Sequence, residues 1–569
     1  MSIRVGSLDR GPVAAVVIGG SFVLVGMWGR LPWWIGPSVV SVLLVSAIVR
    51  VNGRSAVRWS LDWAGYRVGR TARARLRARP LSVRDVTIAA GDCGIHEAGS
   101  ILVAMIQLAP NLDLPTVIGE NTLYTEDTVP VDALLPMLDQ YGIDIDIDIV
   151  TTAQRVRSAS SYSMLYDQLI GSHPVVGNRQ TWLVVRLDQE RNLEVLARRG
   201  PVEESAPKAL ATAAHRIAAR LRERGTAAHA LPAEALGEAI RLLHAGVELS
   251  DLREKWGHLE SSVPGRSVSS FLIDWTRLDG AGLDDCWTWN RGRTTLVVSL
   301  TGGALGSRGL VRYVGPALST SPPGYLRSLG GWQSVALLAT LPTGTSIRDV
   351  PRDDSGNDLA SDELLAELPI AIGPNGQILG AISGQPQHTL ALPLFDPARY
   401  NPQRRTIDVH ANLPVAQQIV LRAMVVGADV EVHSTRPQRW SQLVSVVGDS
   451  TSLRLAQDPD GAEPGPAVSP ATIAVFDQMP PRVSAAHTTV TISEPGAPHR
   501  RTADLAIDQV TATSVDVSIP MRTVRVDLIE PRGETRYFES SSAIPEVSGP
   551  GTALEVSTTV PLPDNPRVR

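Results

Sequence analysis

The pattern of apolar positions divides the chain unequally. Gly11 to Val49 is apolar almost without a break: GPVAAVVIGGSFVLVGMWG, then Arg30, then LPWWIGPSVVSVLLVSAIV, with Arg30 its only charged residue. At about 1.5 Å rise per residue, each half of roughly 19 residues spans the hydrocarbon core of about 30 Å as a helix. The pattern predicts a transmembrane helical hairpin, about 11–29 and 31–49, turning at Gly29 to Pro32, where Pro32 suits a helix start. Trp28, Trp33 and Trp34 gather at the turn, as in an interfacial aromatic belt. A signal peptide calls for one shorter apolar run ending in a small-residue cleavage site, and the sequence reads otherwise.

From Arg50 to Arg79 come nine arginines, Arg50, Arg54, Arg58, Arg67, Arg70, Arg73, Arg75, Arg77 and Arg79, opposed by Asp62 alone. The positive-inside rule then puts both termini in the cytoplasm and the turn outside. Trp59, Trp63 and Tyr66 recur at i, i+4 and i+7, one face of a helix that continues past the lipid. This stem (51–80) has three readings. It lies on anionic headgroups, where each basic residue contributes about 1 kcal/mol; it meets an acidic partner; or its arginines only set topology.

Past Pro80 the period changes. SVRDVTIAA and SILVAMIQLAP read as strands, as do TWLVVRL and the strict alternation Ile143-Asp144-Ile145-Asp146-Ile147-Asp148-Ile149, whose aspartates would face solvent. SVSSFLIDW, CWTWNRGRTTLVVSL and WQSVALLATL also read as strands, and Thr128–Tyr141 as a short helix. Helices are expected over Pro207–Arg224, Ala233–His244, Leu413–Val426 and Pro437–Val447. The alternation of strand and helix implies a mixed α/β (α+β) cytoplasmic region over 81–456. A Pro/Gly linker (457–470), a short β-rich C-terminal segment (471–530) and a disordered tail (531–569) follow.

Net charge is −5 overall; the Arg50–Arg79 segment carries +8, so the remainder sums to −13. An acidic bulk argues against nucleic-acid binding. The two cysteines, Cys93 and Cys286, fit free thiols in a reducing compartment.

Candidate chemistry is sparse. Asp144, Asp146 and Asp148 form overlapping D-x-D, a carboxylate set that suits a divalent metal in a sugar transferase. On a straight strand, however, they are spread about 7 Å apart. Residues 301–309 (TGGALGSRG) follow a strand but lack the G-K-[ST] of a phosphate loop. Arg253-Glu254-Lys255-Trp256 reads as a charged helix end on a surface or interface. No catalytic constellation assembles, and no cofactor is expected.

Several blocks carry a family resemblance: SILVAMIQLAP, PTVI at Pro115–Ile118, Tyr166–Gly171, Asn178–Arg186, Arg253–Trp256, and VLRAMVVGADVEV at Val420–Val432. With the hairpin and stem, over about residues 10–450, the chain resembles EccE of the type VII (ESX) secretion systems of mycobacteria and related actinobacteria. The segment from about 460 onward is longer than is usual in that family. The resemblance implies a structural subunit of an inner-membrane complex, with EccB, EccC and EccD as partners, EccC being the ATPase. It also implies a glycosyltransferase-like fold carried without activity. The alternatives are a membrane-anchored sugar transferase using the aspartate run, or a periplasm-facing domain should the topology be reversed.

Overall fold

The computed structural model describes residues 3–5, 38, 41, 49–51, 54–68, 82–120, 122–157, 161–278, 282–289, 292–302, 306–318, 320–456, 470–498, 500, 502–520 and 522–538. The expected spans at 11–29 and 31–49 therefore lie almost wholly outside the described residues, as do Trp28, Trp33, Trp34, Arg70, Arg73, Arg75, Arg77 and Arg79. Among the described residues no helix is long and apolar enough to cross a membrane. The architecture is mixed α/β and mostly sheet.

Ile3–Val5 pairs antiparallel with Val49–Val51, which pairs with Arg54–Ser55. The two flanks of the 6–48 stretch thus run side by side. Helix α1 (Ala56–Val68) follows at once.

A 13-stranded sheet comes next. Its main strands are β1 (Val83–Ile88), β2 (Gly91–Ala98), β3 (Ile101–Leu108), β4 (Ile143–Gln154), β5 (Asn178–Asp188), β6 (Ser267–Ile273), β7 (Arg293–Leu300) and β8 (Arg308–Gly315), ordered β6-β8-β7-β4-β5-β3-β2-β1. The short strands Leu252–Glu254 and Leu259–Ser261 extend the β6 edge. All these pairings are antiparallel. α2 (Ser161–Ile170) links β4 to β5.

Helices cover both faces. α3 (Val202–Glu223) sets Leu210, Ala214, Ile217 and Leu221 on the isoleucine face of β4. It begins before Pro207, with Glu203 and Glu204 in its first turn, where carboxylates complement the helix dipole. α4 (Ala233–Leu243) and α5 (Gln333–Ala339) cover the opposite face. α5 corrects the expected strand in WQSVALLATL. Nearly every residue of that run is buried, so periodicity could not separate helix from strand. Thr128–Tyr141 likewise yields only one short helical turn, Val131–Leu134, and a 3₁₀ turn before the left-handed Tyr141 (φ 57°).

The second sheet has 12 strands. It contains β9 (Gln377–Ile382), β10 (Gln385–Leu392), β11 (Arg405–His410), β12 (Val430–Ser434), β13 (Ile473–Asp477), β14 (Thr488–Ser493), β15 (Leu505–Gln509), β16 (Ser514–Ile519) and β17 (Arg522–Leu528), ordered β12-β13-β14-β11-β15-β16-β17-β9-β10. The β12-to-β15 half is parallel and the rest antiparallel. α6 (Leu413–Val425) and α7 (Pro437–Val447) supply crossovers, as parallel strands require. Thr116–Ile118 pairs with β10, so the chain enters this sheet early and returns late.

The β-rich 471–530 segment joins this sheet: β13 lies hydrogen-bonded between β12 and β14. The expected disorder from 531 does not hold over 531–538. There Glu534 is fully buried, accepting from Gln418 Nε2 (2.8 Å), Arg422 Nη2 (3.0 Å) and the Tyr162 hydroxyl. Residues 539–569 lie outside the described residues.

Candidate functional site

Three places merit a functional reading: the seam that holds α1, the aspartate run, and the cleft between the sheets.

The seam begins at Arg54, buried, whose Nη1 donates to Asp62 Oδ2 at 2.7 Å. The Ser55 amide donates to Asp354 Oδ2 (2.7 Å) and Arg58 Nη1 to Asp354 Oδ1 (2.6 Å). Trp59 and Tyr66 each meet the Trp256 ring edge-to-face, with centroids 5.5 Å apart. Two of the expected headgroup or partner contacts, Arg54 and Arg58, thus bind within the chain. The outward face of α1 keeps Leu61 and Trp63 exposed, with Arg67 over the Trp63 ring at 5.1 Å. The strand residue Arg50 pairs with Arg4 in register.

Trp256 corrects the helix-end reading of Arg253–Trp256. Leu252–Glu254 is a strand, and Glu254 accepts from the Ser334 amide and hydroxyl, both at 3.0 Å, fixing the start of α5. The indole lies against Gly330 and Gly331, where an added Cβ would stand 2.6 and 2.8 Å from its ring. No larger residue fits beneath it.

The aspartate run does not face water. Asp144 is exposed, but Asp146 and Asp148 are buried at 8% and 1%. The second face of β4 is covered by α5 and the loop after it. Arg186, opposite Asp146 on β5, pairs with Asp148 and donates to Leu341 O (2.9 Å) and Thr343 O (3.1 Å). Arg348 and Arg191 take Asp146. Burial pushes the Asp146 carboxyl up, against the pull of Arg348, Arg191 and Arg186. Burial also lowers Arg186 to about 10. The side chains that a metal would need are already engaged by arginines. Among the described residues no group of three or more His, Cys, Asp or Glu side chains is placed to hold a metal ion.

The third place is a cleft of about 600 Å³ where the ends of β4, β5 and β7 meet the amino-terminal ends of the parallel strands. It is lined by Gln154, Asn178, Arg293, Asp396, Arg399 and Asp429, among others. Sequence reasoning missed it, because its residues come from eight separated segments and form no motif. The described glycines of the 301–309 run, Gly302, Gly306 and Gly309, do not line it; Gly309 packs in β8 under Ile273 and Trp275. Cys93 and Cys286 are buried free thiols in the core of the first sheet, Cys93 pushed up to about 12 by burial.

Residues 175–273 match the family model described as "Putative type VII ESX secretion system translocon, EccE". That span runs from β5 through α3, α4 and Trp256 to β6. The chain is 25% identical over 558 residues to the ESX-2 secretion system protein EccE2 of Mycobacterium tuberculosis, covering 93% of this chain and 91% of the relative. It is 26% identical to EccE1 of the ESX-1 system of Mycolicibacterium smegmatis, over 57% of this chain and 66% of that protein. Against EccE5 of the ESX-5 system of Mycobacterium marinum it is 26% identical over 45% and 65%. By these matches the chain is similar to the EccE proteins of mycobacterial ESX secretion systems.

Proposed function

We propose that the protein is a structural subunit of a type VII (ESX) secretion complex in the inner membrane, supporting export without chemistry of its own. The observation that carries this reading is the likeness to a named ESX secretion protein along nearly the whole of both chains. The geometry supports an anchoring role. The pairing of Ile3–Val5 with Val49–Val51 brings both flanks of the apolar stretch to one side, as a two-span hairpin with both termini cytoplasmic requires. The seam then transmits that anchor to the body through Arg54, Arg58, Trp59 and Tyr66. On α1 the exposed Trp63 and Arg67 offer an aromatic and a cation to lipid headgroups or to a neighbouring subunit. EccB, EccC and EccD are the expected partners.

The test is affinity purification of the tagged full chain from detergent-solubilised membranes. EccB, EccC and EccD subunits should co-purify with it. Their absence, with the protein intact and abundant, sinks the proposal. Against the transferase alternative stand the arginines that engage Asp146 and Asp148. Asn replacements at Asp144, Asp146 and Asp148 should leave secretion intact wherever the protein still accumulates.

A further inference from the structure

Among the described residues, the cleft between the sheets contains a cation with no counter-charge. Across the ends of three neighbouring strands, Asn178 on β5 is in register with Gln154 on β4, and Gln154 with Arg293 on β7. Cross-strand partners stand about 4.5–5.5 Å apart at Cβ and share a face, so the three form one row on the cleft wall. Among the described residues the enclosed Arg293 Nη1 atom meets no acceptor and the Asn178 side-chain oxygen meets no donor.

The carboxylates in the cleft are already engaged. Glu238 accepts from Arg399 Nη1 (3.1 Å) and Asp429 from Arg157 Nη1 (2.7 Å). Asp396 accepts the amides of Ala398 and Gln403, both at 2.9 Å. His487 puts Nε2 2.9 Å from Asp396 O, and burial holds its imidazole below the usual range. The charges that act on Arg293, those of Arg399 and Arg312, have its own sign. A guanidinium nitrogen enclosed without an acceptor is costly in a protein interior, and an oxyanion entering the cleft would supply that acceptor.

We propose that this cleft binds a small polar oxyanion, a phosphate- or carboxylate-bearing molecule, with Arg293 as the anion contact and the amides of Asn178 and Gln154 beside it. The volume, about 600 Å³, is that of a small-molecule site. The planar guanidinium suits the paired oxygens of either anion. This goes beyond a structural role: it gives the subunit a small-molecule ligand held on the first sheet, in the cleft that faces the second.

The experiment uses the full chain in detergent, with inorganic phosphate or sodium acetate compared with chloride at equal ionic strength. At concentrations on the order of 10 mM, ten times a 1 mM dissociation constant, the better anion should raise the apparent melting temperature by about 1–2 °C. Which of the two acts identifies the ligand class. Arg293→Gln should abolish the rise and melt in chloride at or above the wild type, because it removes an uncompensated charge. Arg293→Lys should keep a reduced response. Asn178→Asp sets a carboxylate in the same row and should abolish the response in a folded protein, covering the case in which Arg293→Gln misfolds. The exposed Arg522→Gln is the control and should respond like the wild type. A wild type indifferent to both anions overturns the proposal, as does a response that survives both Arg293→Gln and Asn178→Asp.

Discussion

At the scale of single residues, this fold uses arginine as an internal fastener. Arg312 is fully buried, and its Nη2 donates to Leu243 O (2.6 Å) and Thr295 Oγ1 (3.1 Å), tying β8 to β7 and to the end of α4. Arg422 fixes the C-terminal turn through Glu534 (3.0 Å). Removing one partner of such a pair strands the other in low dielectric. Glu534→Ala should therefore destabilise by about 3–5 kcal/mol, read as a lowered urea midpoint. Two carboxyls report on pH. Burial pushes Asp127 and Asp284 up to about 6, with Arg179 pulling both down. An acid whose folded pKa is raised binds more protons when folded, so its contribution to stability is complete below the unfolded value and is lost as pH rises through about 6. Asp127→Asn and Asp284→Asn lack that loss. The stability difference, variant minus wild type, should grow between about pH 4 and pH 6 and then level off. A flat difference across that window would place these carboxyls in an ordinary environment.

At the scale of elements, the test case is α1. Its sequence reads equally well as a headgroup-lying stem or as a packed helix, because arginines and tryptophans serve both. What decides is Trp256, seated on Gly330 and Gly331 about 190 residues further on. Each aromatic pair adds about 0.5–1.5 kcal/mol beyond area burial. Trp256→Ala should release α1 and expose Arg58 and Arg67 to trypsin in the folded protein, leaving cleavage within β3 to β8 unchanged. Gly330→Ala should act the same way, more weakly. If α1 stays protected in both variants, the ion pairs of Arg54 and Arg58 hold it alone. β4 teaches a similar lesson. Its period-2 alternation was legible, but the identity of the second face was not, since alternation cannot tell water from a layer of guanidinium groups.

At the scale of the whole molecule, two large sheets share one chain that crosses between them early, at Thr116–Ile118, and late, at β9. Topology can be tested without disturbing either. Cys93 and Cys286 are fully buried, so a maleimide should leave both unlabelled until denaturation. A single Val483→Cys, at a fully exposed position, then reports the side of the membrane. It should resist a membrane-impermeant maleimide in intact spheroplasts and react after lysis; labelling in intact spheroplasts would reverse the assignment of the body to the cytoplasm.

The sequence by itself determined the strands with long apolar runs, β3, β5 and β7, and the amphipathic helices α3, α4, α6 and α7. In these, local periodicity and burial coincide. Blocks such as Asn178–Arg186 and Arg253–Trp256 also carried the resemblance to EccE proteins. Long-range packing alone makes WQSVALLATL helical, turns Asp146 and Asp148 into buried ion-pair partners, brings β13 into the same sheet as β12 and lets Glu534 close the core. The physical reason is common to all four. Each depends on what lies against a segment from far along the chain, and the free energy of burying a charge or a backbone polar group is set by that neighbour. The cleft around Arg293 belongs to the same class: its residues meet only when both sheets are formed.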